Sequence, residues 1–229
     1  PAPSDEQQAA ANRAAGDFAA YLRDVVAHRR THPTAGLMTG LIDATIDGER
    51  LTDDQIVSIA MVLLMAGHEA TVNATSNGIA ALAAHPDQWR LVRRGEVGVR
   101  DAIEEILRWG PPLQWFERWV LDEGVEIAGT PIPRFGRVAL VLGAANRDPR
   151  KFPDPDRFDI TRADTGHLSF GGGIHFCIGA PLARLELETT LTELASSEDE
   201  LTILPGAERS PMFQFRGSRR LELALHPPS

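Results

Sequence analysis

A glycine-rich loop that leads into a helix constrains this chain more than any other stretch. It reads Phe-Gly-Gly-Gly-Ile-His-Phe-Cys-Ile-Gly over residues 170–179, and helical spacing begins near Ala180. Cys177 is the only cysteine among 229 residues. Helix-terminal N–H groups favour a thiolate over a thiol, and such a sulfur is a nucleophile or a metal ligand. The glycines would let a bulky, flat group approach. An ordinary buried cysteine is the alternative at this point.

The composition excludes several classes of protein. A hydrophobic content of 43% is enough to bury a core. The net charge of −9 and the pI near 5.3 argue against nucleic-acid binding. One cysteine cannot build a disulfide framework, so a reducing, cytoplasmic setting is expected. The start is polar, unlike a signal peptide, and the apolar run at residues 56–66 is shorter than the ~20 residues of a membrane span. We therefore expect a soluble protein that does not bind a membrane.

Hydrophobic spacing and boundary signals predict a mainly α chain with small β-sheets. The best-marked start is a capping box from Thr52 to Gln55. The helix that follows is apolar on nearly every face between Ile56 and Ala66, so we expect it to cross the middle of the protein. Residues 146–168 are predicted to be irregular. The predicted helices lie between Ser4 and Pro33 and over residues 37–47, 53–84, 86–92, 98–109 and 180–196, and the predicted strands over residues 116–121, 125–128, 137–142, 200–204, 212–216 and 220–225.

Four separated motifs occur in a specific order along the chain. Residues 66–71 are Ala-Gly-His-Glu-Ala-Thr, residues 105–108 read Glu-x-x-Arg, and residues 155–158 are Pro-Asp-Arg-Phe. The fourth is the glycine loop, which reads Phe-x-x-Gly-x-x-x-Cys-x-Gly. Together they resemble the cytochrome P450 family, the haem-thiolate monooxygenases, in the soluble bacterial form. The resemblance covers essentially all of the chain.

The resemblance implies haem b as the cofactor, with Cys177 as the axial ligand of its iron. An anionic sulfur donates electron density to iron and favours O–O cleavage. Arg118 and His175 match positions that contact the haem propionates. The other residues that the resemblance places against the cofactor are Phe170, Gly173 and Gly179 in the loop and Ala66, Gly67 and Ala70 in the central helix.

The resemblance also implies a structural network and a substrate-facing surface. The network is a buried ionic set behind the cofactor, formed by Glu105, Arg108 and Arg157. Removing one partner of such a set costs ~3–5 kcal/mol. The substrate-facing side chains are apolar and aromatic: Leu113, Trp115, Phe116 and Phe213.

Glu69 and Thr71 are the candidate catalytic residues. Glu69 takes the acidic position that the family associates with proton delivery, but Ala70 stands where the family has a threonine. Thr71 lies about 100° further round the helix, so its hydroxyl is not assumed to substitute. Proton relay is then expected to depend on ordered water or on a substrate hydroxyl.

The implied protein is a cytochrome P450 of which residues 1–229 form the carboxy-terminal, haem-binding portion, with the amino-terminal part absent. Its implied function is insertion of one oxygen atom from O2 into a small, largely apolar organic substrate, with electrons from a ferredoxin and its reductase. A truncated or cleaved haem-binding remnant without turnover is the alternative. A cysteine-nucleophile hydrolase that uses His167 or His175 is a third interpretation, although no oxyanion or base arrangement is evident.

Overall fold

The computed structural model describes residues 3–197 and 200–226, and the chain divides into two compact units, Pro1–His68 and Glu69–Ser229. The helices are α1 (Asp5–Thr31), α2 (Leu37–Asp43), α3 (Asp53–Ala84), α4 (Pro86–Arg93), α5 (Val99–Trp109), α6 (Leu142–Ala145) and α7 (Ala180–Ala195). The strands are β1 (Thr45–Ile46), β2 (Glu49–Arg50), β3 (Phe116–Trp119), β4 (Glu126–Ile127), β5 (Thr130–Pro131), β6 (Arg137–Leu140), β7 (Glu200–Ile203), β8 (Glu208–Arg209), β9 (Ser218–Arg220) and β10 (Leu223–His226). The prediction of a mainly α fold with small sheets is confirmed.

Capping boxes begin the two longest helices. At α1 the Ser4 hydroxyl accepts the Gln7 N–H at 3.2 Å, and the Gln7 side chain accepts the Ser4 N–H at 2.9 Å. At α3 the same exchange joins Thr52 and Gln55, at 2.8 and 3.3 Å. Each pair satisfies two N–H groups that a helix start otherwise leaves unpaired. The predicted start of α3 is therefore confirmed.

The core of the first unit lies where α1, α2 and the start of α3 meet. Its buried side chains are Leu22, Val26, Ile42, Leu51, Ile56, Val57 and Ala60. Farther along α3 several apolar side chains are more than half exposed: Val62, Leu64 and Met65. The predicted burial of this helix on nearly every face is therefore wrong within this unit, because its other helices cover one face of α3 only.

Helix α3 is relevant to the expectation that the protein does not bind a membrane. Among the described residues it is one helix that is long and apolar enough to cross a membrane, by length and composition alone. This is weak evidence, since the core helix of a soluble protein meets the same test. The uninterrupted run at residues 56–66 is shorter than the apolar stretch of the helix, because the small residues that follow extend that stretch.

Helix α2 ends four residues before the predicted end at position 47. The chain turns instead at Asp47 and Gly48, which both have positive φ, of 53° and 84°. An Asp-Gly pair of this kind favours a tight hairpin turn. It joins β1 and β2, which pair antiparallel. The turn signal of this dipeptide therefore outweighs the helical spacing that precedes it.

The core of the second unit lies among α3, α4, α5 and α7. Its buried apolar side chains are Ala74, Ala81, Leu82, Trp89, Val92, Ala102, Ile103, Ile106, Leu107, Phe158, Ile160, Leu187, Leu191 and Leu201. Gly78 on α3 faces Ile106 on α5, and a Cβ at position 78 would lie 2.9 Å from Ile106 Cγ2. The missing side chain therefore lets these two helices pack closely.

Four antiparallel two-strand pairs complete the second unit: β3 with β6, β4 with β5, β7 with β10, and β8 with β9. The strand predicted over residues 137–142 ends at Leu140 and is followed by the unpredicted α6. The strand predicted over residues 212–216 is wrong. Only an isolated bridge forms there, between Phe215 and Leu113.

Candidate functional site

The backbone of the glycine loop is held by its own hydrogen bonds. The Cys177 N–H donates to the Phe170 carbonyl at 2.9 Å, and the Gly171 N–H donates to the Leu168 carbonyl at 2.8 Å. Gly171 and Gly173 have φ angles of 71° and 61°, in the left-handed region that side chains disfavour. These turns fold residues 170–177 back on themselves and fix the position of Cys177.

The sulfur lies three residues before the N-terminus of α7, in a half-buried position. The positive end of the helix dipole favours an anion there. A Cβ placed on Gly179 would come within 3.8 Å of Cys177 Sγ. The loop therefore keeps the space on that side of the sulfur clear of side chains.

The surroundings of Cys177 fit a flat apolar group that carries a metal. Ile174 and Ile178, on either side of the cysteine, are 99% and 87% exposed, and Phe176 is more than half exposed. A planar apolar ligand would cover such side chains. Among the described residues no group of three or more His, Cys, Asp and Glu could hold a metal ion. A metal bound to Cys177 would thus bring most of its ligands with it, as haem iron does.

Glu105 and Arg108 form a fully buried ion pair within α5. Arg108 Nε donates to Glu105 Oε2 at 2.6 Å, and Nη2 donates to Oε1 at 2.8 Å. Neither side chain is exposed to solvent. Arg108 also donates to the carbonyls of Asn146, Pro155 and Arg157, at 2.9, 2.9 and 3.1 Å. The pair therefore ties the irregular segment to α5, as the predicted structural role requires.

The prediction that the Arg157 side chain is the third member of this network is wrong. The Arg157 guanidinium is 65% exposed and lies 3.6 Å from Asp159, so only the Arg157 backbone reaches the network. Arg162 takes the expected place: its side chain is 10% exposed, and its Nε lies 3.3 Å from Glu105 Oε2. The path of the chain after the Pro-Asp-Arg-Phe motif turns position 157 outward and position 162 inward.

Asn146 connects the buried pair to the loop, and sequence reasoning missed it. This fully buried residue accepts the Leu168 N–H through Oδ1 at 2.7 Å and donates from Nδ2 to Ser169 Oγ at 2.8 Å. Ser169 Oγ donates in turn to the Leu107 carbonyl at 2.7 Å. A lone asparagine at the start of a predicted irregular segment carries no motif that could have indicated this role.

A second polar cluster, also missed, surrounds Glu104 on α5. Arg184 on α7 donates to both carboxylate oxygens of Glu104, at 2.6 and 3.0 Å. His167 Nε2 lies 3.2 Å from Glu104 Oε2, without the alignment of a full hydrogen bond. Partial burial by itself raises the pKa of Glu104, but the contacts with Arg184 and His167 outweigh it and lower the pKa to about 2. The carboxylate is therefore charged at neutral pH.

The two predicted propionate contacts lie in the second unit with Cys177. Arg118 is half-buried on β3, donates to the Glu117 carbonyl at 2.8 Å, and stacks 5.4 Å from the centroid of the Phe116 ring. His175 is exposed and ends a short 3-10 turn within the glycine loop. Their contacts with a cofactor stay predictions.

The predicted oxygen-side residues lie on α3, which spans both units. Ala66 and Gly67 belong to the first unit, where both are exposed. The helix stays α-helical through them. In the second unit Glu69 is exposed, whereas Ala70 and Thr71 are half-buried. Their catalytic roles stay predictions.

The predicted substrate-facing residues lie on two neighbouring segments of the second unit. Leu113 pairs with Phe215 in the isolated bridge, and Gln114 N–H donates to the Gln214 carbonyl at 2.9 Å. Trp115 is half-buried, with its indole Nε1 buried and lacking a hydrogen-bond partner among the described residues. The remaining two, Phe116 and Phe213, are exposed. The structure brings residues 113–116 beside residues 213–215, although the strand predicted over the latter does not form.

A half-buried thiol in a glycine loop before a helix, with a buried ion pair in the neighbouring helix, suits the class of haem proteins in which a cysteine sulfur is the axial ligand of iron. Comparison with known families leads to the same class. The family Cytochrome P450 matches residues 4–94 and 99–197. The chain belongs to the cytochrome P450 family.

Individual relatives agree with this assignment. The chain is 48% identical over 183 residues to 6-deoxyerythronolide B hydroxylase of Saccharopolyspora erythraea, covering 80% of this chain and 45% of the relative. It is 38% identical over 231 residues to Vitamin D(3) 25-hydroxylase of Pseudonocardia autotrophica, covering 99% and 56%. The solved structure of cytochrome P450 TbtJ1 superimposes with a TM-score of 0.91 at 35% identity, covering 97% and 59%. The chain therefore has the cytochrome P450 fold over about half the length of the curated relatives that it matches.

Proposed function

We propose that the protein is a haem-thiolate monooxygenase that inserts one oxygen atom from O2 into an organic substrate, and that residues 1–229 are its carboxy-terminal, haem-binding portion. The observation that carries the proposal is the geometry of Cys177. A half-buried sulfur before a helix N-terminus, between exposed apolar side chains, suits a haem iron. Membership of the family supports the same function.

The proposed cofactor is haem b, which supplies the redox chemistry that activates O2 when it is bound. The chain's own residues hold and tune it. Cys177 binds the iron through its thiolate, and the Phe170 carbonyl fixes the backbone of that residue through a 2.9 Å hydrogen bond. Arg118 and His175 offset the charge of the propionates. The Glu105–Arg108 pair holds the irregular segment in place behind the loop.

Proton delivery is proposed to depend on Glu69. Its carboxylate is exposed at the start of the second unit, and Ala70 beside it has no hydroxyl. The Thr71 hydroxyl is offset by about 100° round the helix from position 70. A water molecule or a hydroxyl of the substrate would then complete the relay between the carboxylate and the reacting oxygen.

We propose a largely apolar organic substrate, contacted by the aromatic and aliphatic side chains of residues 113–116 and by Phe213. The names of two relatives refer to the hydroxylation of 6-deoxyerythronolide B and of vitamin D(3). A ferredoxin and its reductase are the proposed electron donors, and the cytoplasm is the proposed location. The net charge of −9 argues against a nucleic-acid partner.

The alternative, a haem-binding remnant without turnover, is favoured by one observation. Ala70 removes the hydroxyl that the family pattern places beside the acidic residue. A protein with an intact ligand loop and no proton relay would bind haem and form no product, because any O2 that it reduced would leave as peroxide.

Two measurements test the proposal. The first is the absorption spectrum of the reduced, carbon monoxide-bound protein, with Cys177→Ala as the control. A red-shifted thiolate-type band that the variant lacks supports the ligand assignment, and freshly purified protein without haem overturns it.

The second measurement is O2-dependent NADPH oxidation through a ferredoxin and its reductase, followed with and without 6-deoxyerythronolide B or vitamin D(3) as probes. Product formation above that of the Cys177→Ala control supports the enzyme, whereas a thiolate band with no product from any probe supports the remnant.

A further inference from the structure

Arg184 joins three parts of the second unit. Its guanidinium, on α7, donates hydrogen bonds to both carboxylate oxygens of Glu104 on α5, at 2.6 and 3.0 Å. Its guanidinium carbon lies 4.5 Å from the centroid of the Phe170 ring, within the range of a cation–π contact. The two-point contact with Glu104 holds the guanidinium in one orientation. Arg184 therefore presents a fixed cation to Phe170.

His167 supports the same arrangement from the segment that precedes the loop. Its side chain is 2% exposed, and its ring centroid lies 5.9 Å from that of Phe170. Nδ1 accepts the Ser169 N–H at 3.2 Å, which leaves the proton of the neutral ring on Nε2, the atom that faces Glu104. Glu104 is thus held between a guanidinium and an imidazole, and both of these lie against Phe170.

Phe170 connects this cluster to the backbone of Cys177. Its carbonyl accepts the Cys177 N–H at 2.9 Å, so a shift of Phe170 shifts the backbone of the ligand. The pKa of Arg184 is raised chiefly by its hydrogen bond with Glu104 and further by the charges of Glu104 and Cys177, against an opposing effect of burial.

We propose that Arg184, oriented by Glu104 and His167, is a positioning residue for Cys177: it holds in place Phe170, whose carbonyl accepts the Cys177 N–H, and it keeps a cation against the Phe170 ring. This inference rests on the proposed function, in which Cys177 binds haem iron. A cation in the surroundings of a thiolate ligand withdraws electron density from the iron, because it stabilises the negative charge on the ligand. Removing that cation makes the ferric state relatively more stable.

The test compares Arg184→Gln with Arg100→Gln in the haem-loaded protein. Arg100 also joins α5 to α7, through a 2.9 Å contact with Glu188, but its side chain is 82% exposed, and within the described part of the chain it makes no hydrogen bond or ring contact with Phe170. It is therefore a matched control for the loss of one ion pair between the same helices. The readouts are the reduction potential and the fraction of the reduced, carbon monoxide-bound protein that shows the thiolate-type band.

We expect Arg184→Gln to lower the reduction potential, by an amount that changes the ferrous-to-ferric ratio at a fixed applied potential about threefold. We also expect a smaller fraction with the thiolate-type band. Arg184→Lys keeps the charge and loses the two-point contact. Its reduction potential should therefore lie closer to the wild-type value than its thiolate-band fraction does. Arg100→Gln should leave both readouts at the wild-type value.

Equal readouts for Arg184→Gln and Arg100→Gln overturn the inference while the wild-type band still supports the proposed function. Absence of a thiolate band from the wild type overturns the proposed function itself. Should Arg184→Gln not fold, Glu104→Gln frees the guanidinium without removing it and decides by the same two readouts. A wild-type potential and band fraction in Glu104→Gln would then overturn the inference.

Discussion

Arg108 Nε lies 2.6 Å from Glu105 Oε2 in a pair that solvent does not reach. The contact joins two positions three residues apart on one helix, and the remaining donors of Arg108 reach three carbonyls of the irregular segment that follows α6. Because both charges are buried, each depends on the other for compensation. The pair is therefore the point at which the loop segment depends most on α5.

Arg108→Ala should lower the free energy of unfolding by ~3–5 kcal/mol, because it leaves the Glu105 carboxylate buried without its main partner and removes a donor from each of three carbonyls. Urea denaturation followed by circular dichroism measures the change. Arg94→Ala is the control, since that exposed arginine makes only a 3.7 Å contact with Glu96. A loss no larger than that of the control would contradict the structural role.

Arg162→Ala should destabilise the protein more than Arg157→Ala. The Arg162 side chain is nearly buried, lies 3.3 Å from Glu105, and donates to the Pro153 carbonyl at 2.7 Å, so we expect a loss of ~2–3 kcal/mol. Arg157 reaches Arg108 only through its backbone, which alanine keeps, so we expect a loss below ~1 kcal/mol. The same urea titration compares the two variants. The reverse order would show that the third member of the network is Arg157, as the motif predicted.

Glu104 should make the stability of the fold depend on pH in acid. Its pKa is about 2 in the folded protein against an ordinary value of 4.5, so the folded state favours the carboxylate. Its contribution is full above about pH 5 and is lost as the pH falls through about 2. After allowance for partial exposure we expect it to be ~1–2 kcal/mol.

Glu104→Gln cannot titrate and should show a flatter loss of stability between about pH 5 and pH 2 than the wild type. Urea midpoints measured at several pH values provide the comparison. Parallel curves for the two proteins would show that Glu104 has no lowered pKa.

Cys177→His should remove the thiolate-type band of the reduced, carbon monoxide-bound protein and lower monooxygenase turnover by about one order of magnitude or more. Imidazole is neutral and cannot supply the electron density of a thiolate. Absorption spectra and product formation check the result, with haem content measured separately. A variant that kept the band and full turnover would show that Cys177 is not the ligand.

Ala70→Thr should raise the fraction of consumed NADPH that ends in product and lower the fraction that ends in hydrogen peroxide. The added hydroxyl would stand beside Glu69, where the family pattern has one. Product and peroxide are measured against NADPH consumed, with Ala70→Val as the control for side-chain volume. An unchanged ratio would indicate that proton delivery does not lack a hydroxyl at this position.

The candidate site divides into parts that sequence reasoning reached and parts that it did not. Cys177 with its glycines and the Glu105–Arg108 pair were predicted because each set forms a motif of ten residues or fewer, and the family resemblance gave those motifs their roles. Glu104 directly precedes Glu105 and was passed over, because its partners lie 63 and 80 positions away. Asn146 was missed for the same reason.

The sequence by itself determined the elements whose information is local. The capping box places the start of α3 at Asp53, and a run of glycines before a helix places Cys177 in a tight turn. The tertiary structure decided the pairings between distant segments: Arg162 in place of Arg157 against Glu105, and Arg184 with His167 around Glu104. The physical reason is that caps and turns depend on neighbours in the chain, whereas a buried charge takes whichever partner the path of an irregular segment brings within reach.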